Sequence, residues 1–113
     1  MSMREIKYIF IHCTATFQNA TVEGIQRYWR ERLGWKSPGY HRLIEASGKV
    51  HELLPYDKVS NGVKGYNANS IHISYIGGID SESRPMDNRT TEQVMAMIQL
   101  IYEAKRMFPK AVV

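Results

Sequence analysis

Short runs of apolar and β-branched residues predict four strands. Tyr8–Cys13 is rich in aromatic and β-branched side chains and predicts a buried strand, and Ser70–Ile76 gives a second clear strand signal. Between them, His41–Glu45 and Lys49–Leu53 predict the two strands of a hairpin. The short connection Ala46-Ser47-Gly48 suits that turn because its glycine accepts a positive φ.

Two longer segments show helical spacing. The first is predicted to begin after the N-cap Thr21 and to run to about Leu33, where Gly34 ends it. The second opens with a hydroxyl at Thr90 followed three residues later by Gln93, which is a capping-box pattern. The expected buried stripes are Ile25, Trp29 and Leu33 in the first helix and Val94, Met97, Ile98, Ile101 and Tyr102 in the second.

The order of these elements is strand, helix, hairpin, strand, helix. That order predicts an α/β fold with a central mixed β-sheet and helices packed on its faces. The chain has 113 residues, which is the size of a single domain, so residues 1–113 are taken as one domain. Residues 55–69 form a long polar loop, and loops of that length within small domains are usually functional.

Composition removes several classes of function. Hydrophobic residues make up 43% of the chain, which argues against a disordered protein. The net charge of +4 comes from scattered basic residues, and they do not form a pattern typical of nucleic-acid binding. No apolar run is long enough for a membrane span, and the N-terminus lacks the apolar part of a secretory signal. Cys13 is the only cysteine, so no intrachain disulfide forms. We therefore expect synthesis in the cytoplasm.

His12 is the first candidate for chemistry, because it ends an apolar strand where a sheet opens into a cleft. A histidine there either binds zinc through one ring nitrogen or is a satisfied structural side chain. The neighbouring Cys13 points to the opposite face of a regular strand, and a small buried thiol is its expected role.

Other polar and sulfur-containing side chains have structural interpretations beside the chemical ones. Tyr40 follows a Pro-Gly turn and either donates a hydrogen bond to an oxyanion or covers the sheet edge. His51 and His72 lie in strands and are interpreted as surface or packing residues. Met95, Met97 and Met107 are expected to fill the core.

Several segments in the same order resemble the phage-lysozyme-like N-acetylmuramoyl-L-alanine amidases, which are relatives of the peptidoglycan recognition proteins. Together they extend from Ile9 to about Phe108, and their ordered combination is more specific than any one of them. The segments are Phe10-Ile11-His12-Cys13-Thr14-Ala15-Thr16, Gly34-Trp35 with Gly39-Tyr40-His41, Ser47-Gly48-Lys49-Val50, Lys64-Gly65-Tyr66-Asn67 with Asn69-Ser70-Ile71, and Gly77-Gly78-Ile79-Asp80.

The resemblance implies an amidase fold related to the peptidoglycan recognition proteins, with a zinc cleft on one side of the sheet. It implies hydrolysis, by zinc-activated water, of the amide bond between N-acetylmuramic acid and L-alanine in the cell wall, with peptidoglycan as the partner. His12 matches the first zinc ligand, and Tyr40 matches the tyrosine that assists catalysis beside the metal. The residues expected to contact substrate are Thr14, Trp35, His41 and Asn67.

The chain also departs from the pattern it resembles. In that family a second histidine, a catalytic lysine and the last zinc ligand follow the second long helix, whereas this chain ends at Val113. Gly62 stands where relatives often carry a histidine, and His72 replaces what is commonly a small residue. We therefore expect a catalytically incomplete site, weak or absent zinc binding, and self-association through the uncovered cleft, where apolar surface near His12 and the second helix is exposed.

Two other functions stay open at this point. One is a peptidoglycan-binding module without catalysis on the same fold, and the other is a regulatory protein that binds a partner protein. His12 and Tyr40 are expected to face one cleft if the catalytic interpretation is right.

Overall fold

One mixed four-stranded sheet with two helices forms the structure, a computed structural model that describes residues 4–113. The strand order is β1-β4-β2-β3, with β1 and β2 parallel to β4 and β3 antiparallel to β2. The predicted α/β class is confirmed. The elements are β1 (Tyr8–Cys13), α1 (Val22–Glu31), β2 (Arg42–Ile44), β3 (Val50–Glu52), a 3₁₀ turn (Asn67–Asn69), β4 (Ser70–Tyr75) and α2 (Thr91–Met107).

The central strand β4 is buried along its whole length and separates two faces with different chemistry. Its odd-numbered residues, among them Ile71 and Ile73, join the apolar core with Met97 and Leu100 of α2. The opposite face carries a row of buried polar side chains. That row consists of Ser70, His72 and Ser74.

Helix α1 covers part of the polar face. Its N-cap is Thr21, as predicted, and the Thr21 hydroxyl accepts a hydrogen bond from the Gly24 N–H at 3.0 Å. Ile25 and Trp29 are buried against Leu43. The helix ends at Glu31, before the predicted end, and Leu33 lies outside it with 42% of its surface exposed. The prediction that Leu33 continues the buried stripe is therefore wrong.

Helix α2 has the predicted capping box, but its buried face is rotated from the predicted stripe. Thr90 accepts from the Gln93 N–H, and the Gln93 side chain accepts from the Thr90 N–H, both at 3.0 Å. The buried residues are Gln93, Met97, Leu100 and Ala104. Ile98 and Tyr102 are exposed, because α2 packs on the sheet through the side that carries Leu100 and Ala104.

Two further packing predictions are wrong. Met97 is buried as expected, but Met95 and Met107 are 66% and 53% exposed and do not fill the core. Cys13 is exposed and is not a buried thiol. Cys13 is the last residue of the outer strand β1, whereas α2 packs on β4 and β2. The helix therefore does not cover the Cys13 side chain. Neither described helix is long and apolar enough to cross a membrane.

Candidate active site around His12 and Tyr40

His12 and Tyr40 meet above the central strand. His12 is the last residue but one of β1 on one side of β4, and Tyr40 precedes β2 on the other. Their ring centroids are 5.2 Å apart, as expected for residues facing one cleft. The Tyr40 ring also meets the edge of the Trp29 ring at 5.4 Å, so α1 holds it against His12. The Tyr40 hydroxyl donates to the Cys13 carbonyl oxygen at 3.3 Å, a long and weak bond.

His72 lies beneath His12 and was not among the predicted site residues. The Nε2 atom of His12 is 2.8 Å from Nδ1 of His72, which is hydrogen-bond distance. His72 is fully buried, and its other ring nitrogen, Nε2, is 3.2 Å from the Ser70 hydroxyl. A sequence signal for this arrangement is the alternation of Ser70, His72 and Ser74 within an otherwise apolar strand.

His41 supports the site from within the protein. It is fully buried, and its Nε2–H donates to the Lys58 carbonyl oxygen at 2.7 Å while its Nδ1 accepts from the His72 backbone N–H at 3.1 Å. Burial lowers the pKa of His41 to about 4, and the nearby Arg4 and Arg42 act in the same direction. Both nitrogens are thus used inside the fold, and the substrate-binding role of His41 stays a prediction.

Burial also sets the protonation of the residues at the cleft. Burial lowers the pKa of His12, so its ring is neutral near pH 7. Burial raises the pKa of Tyr40 above its ordinary value, so its hydroxyl keeps its proton. A neutral imidazole is able to ligate a metal, and a protonated phenol is able to donate to an oxyanion.

A groove of about 640 Å³ extends from Tyr40 between the 14–21 loop and α1. Thr14 lines it, together with Ile25, Tyr28 and Trp29. The Thr14 hydroxyl oxygen accepts a hydrogen bond from the Gly77 N–H at 3.1 Å, which fixes its position. This volume is adequate for part of an extended ligand.

The other two predicted substrate contacts lie away from that groove. Trp35 packs against Trp29 with ring centroids 6.2 Å apart and borders a separate, small surface hollow. The Asn67 side chain accepts from the Val63 N–H at 2.8 Å and so shapes the loop before β4. The structure therefore joins His12, Tyr40 and Thr14, and it does not bring Trp35 or Asn67 to the same groove.

The donor set does not make a complete zinc site. A catalytic zinc needs three protein ligands and one open position. Within residues 4–113, no group of three or more His, Cys, Asp or Glu side chains is placed to hold a metal ion. His12 supplies one donor, and the nearest imidazole, His72, is hydrogen-bonded to it.

The fold is that of the phage amidase endolysins and the peptidoglycan recognition proteins. The chain matches the N-acetylmuramoyl-L-alanine amidase family over residues 2–111. The chain belongs to this family, and the match together with endolysin relatives supports peptidoglycan amidase activity.

Relatives in sequence and structure agree with that assignment. An endolysin of Enterobacteria phage K11 is 37% identical over 112 residues, a match that covers 97% of this chain and 74% of the relative. The structure of the Ph2119 endolysin from a Thermus scotoductus bacteriophage superposes with a TM-score of 0.83 at 27% identity, covering 96% of this chain and 69% of that one. Bumblebee PGRP-SA superposes with a TM-score of 0.75 at 25% identity, covering 95% and 65%.

Proposed function

We propose that the chain forms the His12–Tyr40 part of a peptidoglycan amidase that hydrolyses the amide bond between N-acetylmuramic acid and L-alanine. The observation that carries this proposal is the contact of the two rings above β4, at 5.2 Å, beside an open groove. The family match and the endolysin relatives give the reaction class. The cell wall is then the place of action.

Tyr40 acts on the amide carbonyl. Attack on an amide carbon develops negative charge on its oxygen, and a fixed hydrogen-bond donor lowers the energy of that state. The Tyr40 phenol keeps its proton because burial raises its pKa, and its bond to the Cys13 carbonyl is weak enough to exchange for the oxyanion. Trp29 and His12 on its two sides keep the ring in place.

The neutral His12 imidazole has the character of a metal ligand. Zinc-activated water, the nucleophile that the family resemblance implies, needs donors beyond His12. The described residues do not supply them as a set of three. The groove lined by Thr14 and Tyr28 would hold the stem peptide or the sugar next to the bond that is cut.

A peptidoglycan-binding module without catalysis is the second candidate. The groove beside Tyr40 would serve binding as well as catalysis, and peptidoglycan recognition proteins share the fold.

The experiment that separates the two is peptide release from purified peptidoglycan by the full-length protein supplied with zinc. An amidase releases stem peptides with a new N-terminal L-alanine amine, which mass spectrometry detects, and His12→Ala abolishes that release. Retention on peptidoglycan with no new amine in the native protein would exclude the amidase and leave the binding module.

A further inference from the structure

We propose that His72 is a positioning residue for His12: its buried imidazole accepts the His12 Nε2–H, fixes the tautomer of His12, and leaves Nδ1 as its bare nitrogen. The inference rests on the proposed function only where it assigns His12 the role of a metal ligand. The tautomer itself is measurable whether or not the chain cuts peptidoglycan.

The direction of each hydrogen bond follows from the far end of the network. Ser70 has one hydroxyl proton and donates it to the Tyr66 carbonyl oxygen at 2.6 Å. The same hydroxyl lies 3.2 Å from Nε2 of His72 and must therefore accept there, so His72 carries its proton on Nε2. Nδ1 of His72 is then an acceptor, and the 2.8 Å contact requires a proton on Nε2 of His12.

This chain of bonds decides which His12 nitrogen is free. A neutral imidazole carries one proton, so a proton on Nε2 leaves Nδ1 with its lone pair. The two ring nitrogens point in diverging directions, and Nδ1 points away from His72. Metal-ligating histidines in general donate their second ring N–H to a fixed acceptor, and that acceptor is most often a carboxylate or a carbonyl. Here a second imidazole takes that place.

Stacking holds the His72 ring in position. Phe10, its register partner on β1, stacks on it at 5.3 Å with an interplanar angle of 9°. His41 stacks at 6.1 Å and 3°. Rotation of the ring about its side-chain bonds would break both stacks and the two hydrogen bonds at its nitrogens. An acceptor held this firmly orients its donor.

Gly62 provides the space that His72 needs. A Cβ added at Gly62 would lie 2.2 Å from Nδ1 of His72 and 2.4 Å from Cγ, far inside contact distance. The ring is pinned between Phe10 and His41 and cannot move aside cheaply. Position 62 and position 72 therefore share one volume, which the His72 imidazole fills.

The first test is the tautomer of His12, read from the ring ¹⁵N shifts of the histidine-labelled protein near pH 7. The native protein should show protonated Nε2 and bare Nδ1. In His72→Phe, the aromatic stack is kept but the acceptor is lost, so His12 should become a mixture of tautomers. His72→Asn returns an oxygen acceptor near the Nδ1 position and should restore the native pattern.

Three results would overturn the proposal. They are a native His12 protonated on Nδ1, a His12 that stays wholly Nε2-protonated in His72→Phe, and a His72→Asn variant that does not restore the native pattern. Where the protein releases peptide from peptidoglycan, His72→Phe should lower the rate about 10- to 100-fold, which is the usual effect of losing such a partner. The tautomer result stands even if that protein proves to be a binding module.

The second test is a double-mutant cycle between positions 62 and 72. Gly62→Ala should lower the melting temperature of the native protein, because the methyl group meets His72. In a His72→Ala background the same change should cost little, since the imidazole is gone. Equal losses in the two backgrounds would show that the two positions do not share space, and the account of His72 would fall.

Discussion

Tyr40 lies against His12 with its ring tilted by 41°, and the two residues come from elements on opposite sides of β4. Neither element alone positions the pair. The parallel pairing of β1 and β2 with the same central strand brings the end of β1 and the start of β2 to one face. The site therefore depends on the sheet register, and a slip of one residue would turn His12 to the other face.

Replacement of Tyr40 by Phe should lower the rate of peptide release by about 100-fold in the full-length protein, because one oxyanion donor is lost. The apparent affinity for peptidoglycan should change little, since the ring and its contacts with Trp29 remain. Stability should also change little, because the bond from the hydroxyl to the Cys13 carbonyl oxygen is long, at 3.3 Å. Rates and affinities measured on the same substrate preparation check this.

Tyr102→Phe is the matched control for that experiment. Tyr102 is 68% exposed on the outer side of α2, so the same atom is removed far from the cleft. We expect native activity from it. A Tyr40→Phe enzyme as active as this control would remove Tyr40 from the chemistry.

Local signals in the sequence predicted the elements well. The Thr90–Gln93 capping box and the Gly48 hairpin turn depend on neighbouring residues only, and both were found as predicted. At Gly48, φ is +89°, a conformation that favours glycine. The family resemblance added the pairing of His12 with Tyr40, which local patterns do not contain.

Other features depend on contacts between distant residues and were missed for that reason. Apolar periodicity on α2 does not say which face meets the sheet, so Ile98 and Tyr102 were placed in the core and are exposed. His72 was interpreted as a packing residue because a strand histidine shows no partner in the sequence. Its partners, His12, Ser70 and His41, come together only in the folded sheet.

The 113-residue chain should hold less than one equivalent of zinc after reconstitution and dialysis. His12 is one donor, and a catalytic zinc site needs three from the protein. Metal analysis by mass spectrometry decides this, with His12→Ala as the background control. Stoichiometric zinc that is lost in His12→Ala would mean that other histidines, or a second chain, complete the site.

Gln93 should contribute strongly to stability although it is polar. It is fully buried, and its amide donates to the carbonyl oxygens of Ile44 and Ile76, each at 3.1 Å, while its oxygen accepts from Thr90. Gln93→Ala removes the bonds that Gln93 supplies to the Ile76 oxygen and the Thr90 N–H, while the Ile44 oxygen keeps only its bond from the Ile76 N–H, at 2.9 Å. We expect a loss of about 2–4 kcal/mol in the free energy of unfolding, measured by denaturant titration.

Gln93→Glu is the informative companion variant. It keeps the oxygen that accepts from Thr90 but offers no amide donor to the two carbonyls. A buried carboxylate facing carbonyl oxygens is unfavourable, so this variant should be no more stable than Gln93→Ala near pH 7. A Glu variant as stable as the native protein would show that the two amide bonds contribute nothing.

The outer side of α2 should support self-association. Met95, Ile98 and Tyr102 are 66%, 49% and 68% exposed and lie on one side of the helix. Sedimentation analysis across a range of concentrations should show reversible dimers, and Ile98→Lys should weaken them. Asn19→Lys adds the same charge at an exposed loop residue away from α2 and should not. Equal behaviour of both variants, or a monomer at all concentrations, would contradict the prediction.

Acid should destabilise the fold in the range where His41 is protonated only in the unfolded chain. The folded protein holds the pKa of His41 at about 4, against an ordinary value of 6.5. As the pH falls below about 6.5, the unfolded state binds a proton that the folded state does not, so stability present at neutral pH is lost progressively down to about pH 4. The loss from this group is on the order of 3 kcal/mol.

His41→Asn tests that assignment, because Asn keeps an acceptor for the His72 backbone N–H but does not titrate. The free energy of unfolding of this variant should depend less steeply on pH between about 6.5 and 4 than that of the native protein. His72, whose pKa burial lowers to about 3, acts in the same direction and leaves a residual slope. The His41 ring itself should stay neutral in NMR spectra down to about pH 4. A ring that titrates near 6.5 in the folded protein would contradict both the burial argument and the predicted acid sensitivity.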